Sequence, residues 1–70
     1  MRIRISDPAL VVDLLDFLQG SDCVAMQMST DMLAVSIPRP LSYDVARLEL
    51  ELYLSEWRAR HLDVGAVVID

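Results

Sequence analysis

Side chains with the chemistry of a reactive site are few in this chain of 70 residues. Cys23 is the only cysteine and His61 the only histidine. Cys23 follows Asp22, and because that negative charge disfavours a thiolate, we expect a buried structural thiol and not a nucleophile. His61 comes at the end of a predicted long helix, where a cation interacts favourably with the helix dipole, so a capping role explains it better than catalysis.

Three methionines, Met26, Met28 and Met32, flank a predicted hairpin, and their thioethers have the softness that suits Cu(I). Strand alternation is expected to leave Met26 and Met28 on one face and Met32 on the other. Methionine is also far more common as core filler. The sequence therefore predicts no metal site and no cofactor.

Carboxylates occur in close pairs on the two predicted helices, Asp13 with Asp16 and Glu49 with Glu51. We expect both pairs on solvated helix faces, without a partner that would make one of them a general acid or base. With one histidine, one cysteine and scattered carboxylates, the sequence predicts no catalytic residue and a protein that is not an enzyme.

The composition narrows the classes of partner. Eleven acidic and six basic residues give a net charge of −5, and no basic tract forms, so we expect no binding to nucleic acid or to membranes. Although 54% of the residues are hydrophobic, no run approaches the ~18 apolar residues of a membrane span. The start of the chain lacks the apolar stretch of a signal peptide, so a cytoplasmic location is the expectation.

The strands and helices that must position these residues can be predicted from the alternation of apolar and polar residues, from helix-capping residues and from glycine and proline. Residues 2–5 alternate arginine with isoleucine, which predicts a strand. Asp7 and Pro8 suit the cap and the first position of a helix that continues to Gln19. Gly20 is well placed to end that helix.

The second half of the chain contains a hairpin, a long helix and a last strand. Residues 23–28 and 32–37 are β-type runs separated by a three-residue loop. Ser42 is the expected cap of a helix over 41–61, and the apolar run 64–69 predicts a strand. The helix contains the alternating segment LELELYL, but its residues are strong helix formers and neither glycine nor proline interrupts it.

The order β-α-β-β-α-β predicts an α+β domain with the ferredoxin-like, split βαβ arrangement. We expect a four-stranded antiparallel sheet of order 4-1-3-2, two helices on one face, and a single domain over 1–70. A chain of this size buries only about 60% of the surface that its unfolded form exposes, so its own core is marginal. With one cysteine the chain cannot form an internal disulfide, and with one cysteine and one histidine it lacks the ligands of a structural zinc site. Association with a second subunit is the remaining source of stability.

The predicted long helix carries two apolar stripes on roughly opposite sides. Only one of them can face a small core, so the other needs a partner. Because aromatic residues are enriched at interfaces, we expect the stripe with both tyrosines and the tryptophan to face outward, and Leu50→Arg to give a folded monomer. The core stripe is then Leu41, Val45, Leu48, Leu52 and Ala59, and the interface stripe is Tyr43, Ala46, Leu50, Tyr53, Leu54 and Trp57.

The predicted topology leaves one face of the sheet without helices. If Ile3 and Ile5 point to the helices, Arg2 and Arg4 point away from them. Arginine holds carboxylates in a forked geometry, so Arg2 and Arg4 are candidate contacts for an anion or an acidic partner. Arginines that simply cover the open sheet, with their charged ends in water, explain them better. The residues expected beside them are Met32, Ala34, Ser36, Ala25 and Gln27.

Residues 5–10, with the sequence ISDPAL, resemble the strand-to-helix turn of ACT domains, which have the same βαββαβ order. The resemblance implies a site for an amino acid or a similar effector near residues 7–10, at a subunit boundary. The chain departs from those domains at Ala9, where they usually carry a glycine. RNA-recognition motifs and metal-chaperone domains also share the fold, but the chain lacks their paired aromatic residues and their CxxC motif.

The sequence thus predicts a non-enzymatic, self-associating protein-interaction module. Its partner is a second copy, in a homodimer or a higher oligomer, or another protein. The alternative is an ACT-like regulatory domain that binds a small molecule. The two hypotheses differ in ligand response, because a ligand that binds only the folded state raises the melting temperature.

Overall fold

The computed structural model of the chain describes residues 1–38 and 42–69. Its elements follow the predicted order, with bounds that differ by a few residues. They are β1 (Arg2–Ile5), α1 (Val11–Gly20), β2 (Val24–Gln27), β3 (Met32–Ser36), α2 (Tyr43–Ala59) and β4 (Ala66–Val68).

Both helices begin next to the capping residues that the sequence indicates. The Asp7 carboxylate accepts a hydrogen bond from the N–H of Ala9 at 3.0 Å, and a 3-10 turn (Pro8–Leu10) then leads into α1. The Ser42 hydroxyl oxygen accepts one from the N–H of Val45 at 3.2 Å. The segment LELELYL lies within α2, so helix propensity prevails over its alternation.

The end of α1 differs from the prediction. Gly20 is the last helical residue, and the left-handed conformation falls on Asp22, whose φ is 65°. Aspartate tolerates this region better than most side chains do. The N–H of Cys23 then donates to the carbonyl oxygen of Leu18 at 3.1 Å, which returns the chain toward the sheet.

The strands form an open, antiparallel sheet in the order β2-β3-β1-β4. Counted from its other edge, this is the predicted order 4-1-3-2. In β1, one of the two central strands, Ile3 pairs with Leu33 of β3 and with Val68 of β4. Strands β2 and β4 are therefore the edges of the sheet.

The core lies between one face of the sheet and both helices. The isoleucines of β1 are buried, and Arg2 and Arg4 alternate with them on the outside. The fully buried large side chains form one cluster in the described residues: Ile3, Ile5, Val11, Leu14, Leu18, Leu33, Leu50, Leu54 and Trp57. In the described part of the chain, neither helix has the length and hydropathy needed to cross a membrane.

Candidate functional site: apolar surfaces outside the core

The two apolar stripes of α2 have exchanged the places predicted for them: the stripe that contains Trp57 faces the core, and the other faces outward. Ala46, Leu50, Leu54 and Trp57 are buried against the sheet and α1, with Leu50 and Leu54 at 0% exposure. The stripe predicted as the interface is thus mainly core, and the prediction that it faces outward is wrong. A small core needs volume, and this stripe contains the larger side chains.

Trp57 shows why this stripe can enter the core. Its indole Nε1–H donates to the Asp13 carboxylate of α1 at 2.9 Å, so the one polar atom of the ring is satisfied at the edge of the core. The tyrosines take intermediate places: Tyr53 packs at the margin of the core and Tyr43, at the start of α2, is 50% exposed. Trp57 and Tyr53 therefore serve packing within the chain, whereas Tyr43 does not.

The outward stripe of α2 is apolar and exposed. Leu48 is 63% exposed, Leu52 62% and Val45 42%. Ser55 and Ala59 continue the same line and are also exposed. We call these five residues the outer seam. Leu41, which the sequence places on this stripe, lies outside the described residues.

Charged residues border the outer seam on both sides. By helical spacing, one flank holds Asp44, Glu51 and Arg58, and the other holds Glu49 and Glu56. Arg58 lies 4.0 Å from Glu51, and its side chain is one-third exposed. The seam is thus an apolar strip within a mainly acidic surface, as is typical of a helix face that meets another helix.

The open face of the sheet is more apolar than predicted. The register pairs Ala25 with Val35 and Gln27 with Leu33, so Ala25 and Gln27 belong to the helix side, and their predicted place on the open face is wrong. Helix α1 packs on β2, where the small Ala25 leaves it room. Consequently Val24 and Met26 point outward, at 63% and 65% exposure.

Arg2 and Arg4 lie on this open face in the central strand β1, beside β3, as expected. The Arg4 Nη2 atom lies 3.8 Å from the Met32 sulfur, and its Nε atom lies 4.0 Å from the Asp31 carboxylate. Arg2 has no ion-pair partner among residues 1–38 and 42–69. Any molecule that covers this face must therefore accommodate two cations near its centre.

The methionines are not segregated by alternation as predicted. Met26 pairs with Ala34, and this register puts Met26 and Met32 on the same open face, while Met28 at the turn is exposed. The Met32 thioether nevertheless lies 3.8 Å from the Arg4 guanidinium, which repels a metal cation. Within the described ranges, no three His, Cys, Asp or Glu side chains gather where they could hold a metal ion.

Both edges of the sheet are covered in part by long polar side chains from the helices. The Gln19 amide of α1 donates to the carbonyl oxygen of Ala25 in β2 at 3.1 Å. The Arg58 guanidinium of α2 donates to the carbonyl oxygen of Ala66 in β4 at 2.6 Å. An incoming strand would have to displace these donors, so growth of the sheet at either edge is disfavoured.

Asp13 and His61 form a cluster that the sequence interpretation missed. The His61 ring stacks on Trp57 with centroids 4.1 Å apart, its Nδ1 lies 2.9 Å from the Trp57 carbonyl oxygen, and its Nε2 lies 3.7 Å from Asp13. Asp13 therefore contacts two residues of α2 and its end, and His61 contacts α1 as well as the last turn of α2. Both ring nitrogens of His61 face groups of the chain itself, so the cluster joins α1 to the end of α2.

Cys23 is buried, as predicted. Burial raises the pKa of its thiol, and the negative charges of Glu49 and Asp22 raise it further. A nucleophilic cysteine requires the opposite, a depressed pKa and access to solvent. The structural role expected from the sequence therefore agrees with its surroundings.

A groove of about 400 Å³ lies at the turn that resembles ACT domains. The Ser6 hydroxyl oxygen accepts a hydrogen bond from the Gly65 N–H at 2.8 Å, and the Ser6 N–H donates to the Gly65 carbonyl oxygen at 2.8 Å. Arg4 and Asp31 give the groove one positive and one negative side chain. Because these two side chains also pair with each other at 4.0 Å, a small zwitterion would bind by taking the place of that ion pair.

The chain was compared with models of protein families, with curated proteins and with solved structures, and none of the three comparisons found a match.

Proposed function

We propose that this protein is a non-enzymatic, self-associating interaction module with a ferredoxin-like fold, and that it forms a homodimer through the outer seam. The observation that carries the proposal is the exposure of Leu48 and Leu52 on a helix whose opposite stripe already fills the core. Covering such a strip with a second surface removes apolar area from water and so stabilises the domain.

The magnitude is sufficient for a weak dimer. Covering the exposed parts of Val45, Leu48 and Leu52 contributes roughly 1 to 2 kcal/mol for each side chain. Two copies then gain about 6 to 12 kcal/mol, against an association cost of about 4 to 15 kcal/mol. We therefore expect a dissociation constant in the micromolar range or above.

The outer seam suits a second copy better than the open sheet face does. Two sheets packed face to face would bring Arg2 and Arg4 of each copy into one interface, and burying like charges without partners is costly. The outer seam contains no charged side chain along its centre. Its charges lie only on the flanks, where they stay in contact with water.

Association should strengthen as salt is added. Each copy has a net charge of −5, and four acidic residues flank the seam with Arg58 as the one basic residue among them, so two copies repel each other. At ~1 M ionic strength the screening length falls to about 3 Å, which removes most of this repulsion. Light scattering over a hundredfold dilution series, at low and at high salt, is the measurement.

The expected result is a dimer that dissociates on dilution and persists to lower concentration at high salt. A dissociation constant that rises with salt would show that ion pairs hold the copies together, contrary to the proposal. A monomer at all concentrations and both salt levels would exclude self-association.

The groove beside Ser6 supports a second candidate, a regulatory domain that binds a small molecule. The observation that carries it is that Arg4 and Asp31, which lie 4.0 Å apart, both line a space of about 400 Å³. A ligand at ten times its dissociation constant would stabilise the fold by about 1.4 kcal/mol, which raises the melting temperature of a domain this size by several degrees.

A thermal-shift panel of amino acids and nucleotides tests this candidate. We expect a zwitterionic amino acid to raise the melting temperature of the native chain and to lose that effect in Arg4→Gln. Arg2→Gln, on the same face but not lining the groove, is the matched control. A flat response across the panel would eliminate the candidate.

A further inference from the structure

We propose that two copies pair their α2 helices antiparallel, about a two-fold axis that crosses the outer seam between Leu48 and Leu52. This inference rests on the proposed homodimer and adds its geometry. It follows from the spacing of the seam, from the sizes of its side chains and from the charges on its flanks.

The outer seam has the spacing of a coiled coil. Its residues follow one another at steps of three, four, three and four, so Val45, Leu52 and Ala59 take one core position of a heptad and Leu48 and Ser55 the other. All five are exposed over two consecutive heptads. A strict 3-4 alternation indicates a straight line of contact with another helix, since a helix that faces a sheet buries a broader stripe.

The side chains at the two ends of the seam differ in size. In an antiparallel pair centred between Leu48 and Leu52, each Leu48 faces Leu52 of the second copy, and each Val45 faces Ser55 of the second copy. Each of the two end contacts of the dimer then combines one larger side chain, Val45, with one smaller side chain, Ser55. A parallel pair would place Ser55 opposite Ser55, and that layer would remain underfilled.

The flanking charges also favour the antiparallel arrangement. In a parallel pair, a residue on one flank meets the residue five positions later on the opposite flank of the second copy. That rule brings Asp44 against Glu49 and Glu51 against Glu56, so every such contact is between two carboxylates.

In the antiparallel pair each flank meets the same flank of the second copy. Asp44 then lies near Arg58 of the second copy, twice by symmetry. The Arg58 side chain is one-third exposed and already contacts the Ala66 carbonyl oxygen and Glu51, so Asp44 adds a second carboxylate beside an existing cation. The remaining like-charge contacts are Glu49 with Glu49 and Glu51 with Glu51, one of each. Charge repulsion therefore opposes the parallel dimer more strongly than the antiparallel one.

Disulfide trapping distinguishes these arrangements. The single native cysteine is removed as Cys23→Ala, and Val45→Cys or Ser55→Cys is introduced in that background. In the antiparallel dimer, position 45 of one copy faces position 55 of the other. The two copies of position 45 are separated by ten residues, or about 15 Å along the helix, and so are the two copies of position 55. A disulfide requires Cα atoms within about 7 Å.

The expected result is rapid formation of a covalent dimer when the two variants are mixed and oxidised, at a rate at least about tenfold above either variant alone. Light scattering first verifies that both variants self-associate. Rapid cross-linking of each variant alone would establish a parallel pair and overturn the inference while leaving the homodimer intact. Dimers that never cross-link would show that another surface holds them. Monomeric native protein would remove the proposed function itself.

A charge substitution gives a second test that needs no cysteine. Asp44→Lys places a cation near Arg58 of the second copy in the antiparallel pair but near Glu49 in the parallel pair. Asp63→Lys makes the same change in net charge outside the seam and is the matched control. We expect the dissociation constant of Asp44→Lys to exceed that of Asp63→Lys by about threefold or more, since exposed pairs contribute modestly. A tighter dimer for Asp44→Lys would overturn the inference.

Discussion

Leu50→Arg should unfold the protein, and Leu48→Arg, on the opposite side of the same helix, should leave it folded. Leu50 has 0% exposure in the cluster between α2 and the sheet. Truncating such a leucine costs about 2 to 5 kcal/mol, and burying an unpaired guanidinium costs more. Because small domains are stable by only about 5 kcal/mol at the lower end, this single change is enough to unfold the chain.

Leu48→Arg has a different expected effect because that side chain is 63% exposed. Surface substitutions usually change the free energy of unfolding by less than about 0.5 kcal/mol. Circular dichroism and urea unfolding of both variants provide the measurement. A folded Leu50→Arg beside an unfolded Leu48→Arg would show that the aromatic stripe faces outward and that the structure has the two stripes reversed.

Trp57→Ala should be the second most damaging change, with a loss of about 3 to 5 kcal/mol from the free energy of unfolding. The indole is 1% exposed, and it joins α2 to α1 through its hydrogen bond to Asp13. Removing that acceptor in Asp13→Ala leaves a buried N–H without its partner, which costs about 1 to 3 kcal/mol.

Asp16→Ala, on the solvated side of the same helix, is the control for Asp13→Ala and should change the stability by less than about 0.5 kcal/mol. Urea denaturation, followed by circular dichroism, gives all three free energies. Equal effects of Asp13→Ala and Asp16→Ala would mean that the Trp57 hydrogen bond contributes nothing to stability.

Local signals were sufficient to predict the elements and their order. Asp7 and Ser42 satisfy the N–H groups of the turns that they precede, and these bonds are formed as expected. The alternation of β1 correctly separates its isoleucines from its arginines. Connectivity rules for short βαβ units then leave few topologies, and the observed strand order is among them.

The orientation of α2 was not predictable from periodicity. Two apolar stripes on opposite sides give the same angular pattern whichever of them faces the sheet. What decides between them is the volume of the core and the bond from Trp57 to Asp13, whose residues lie 44 positions apart. The enrichment of aromatic residues at interfaces pointed to the wrong stripe because a tryptophan with a satisfied N–H packs equally well inside a domain.

The faces of β2 were ambiguous for a similar reason. Each face of β2 begins with an apolar residue, Val24 on one and Ala25 on the other, and both residues are compatible with burial. The register with β3 and the packing of α1 select Ala25 for the core. Val24 and Met26 are consequently part of the exposed apolar surface, which sequence alone did not indicate.

Sedimentation equilibrium of the native chain beside Leu52→Arg and Leu62→Arg tests the central claim most directly. Leu62 is 87% exposed but lies beyond the end of α2, so exposure alone would rank it above Leu52, which is 62% exposed. We expect the native chain and Leu62→Arg to dimerise with the same dissociation constant and Leu52→Arg to be a folded monomer. A Leu52→Arg dimer as tight as that of the native chain would show that the outer seam does not hold the copies together.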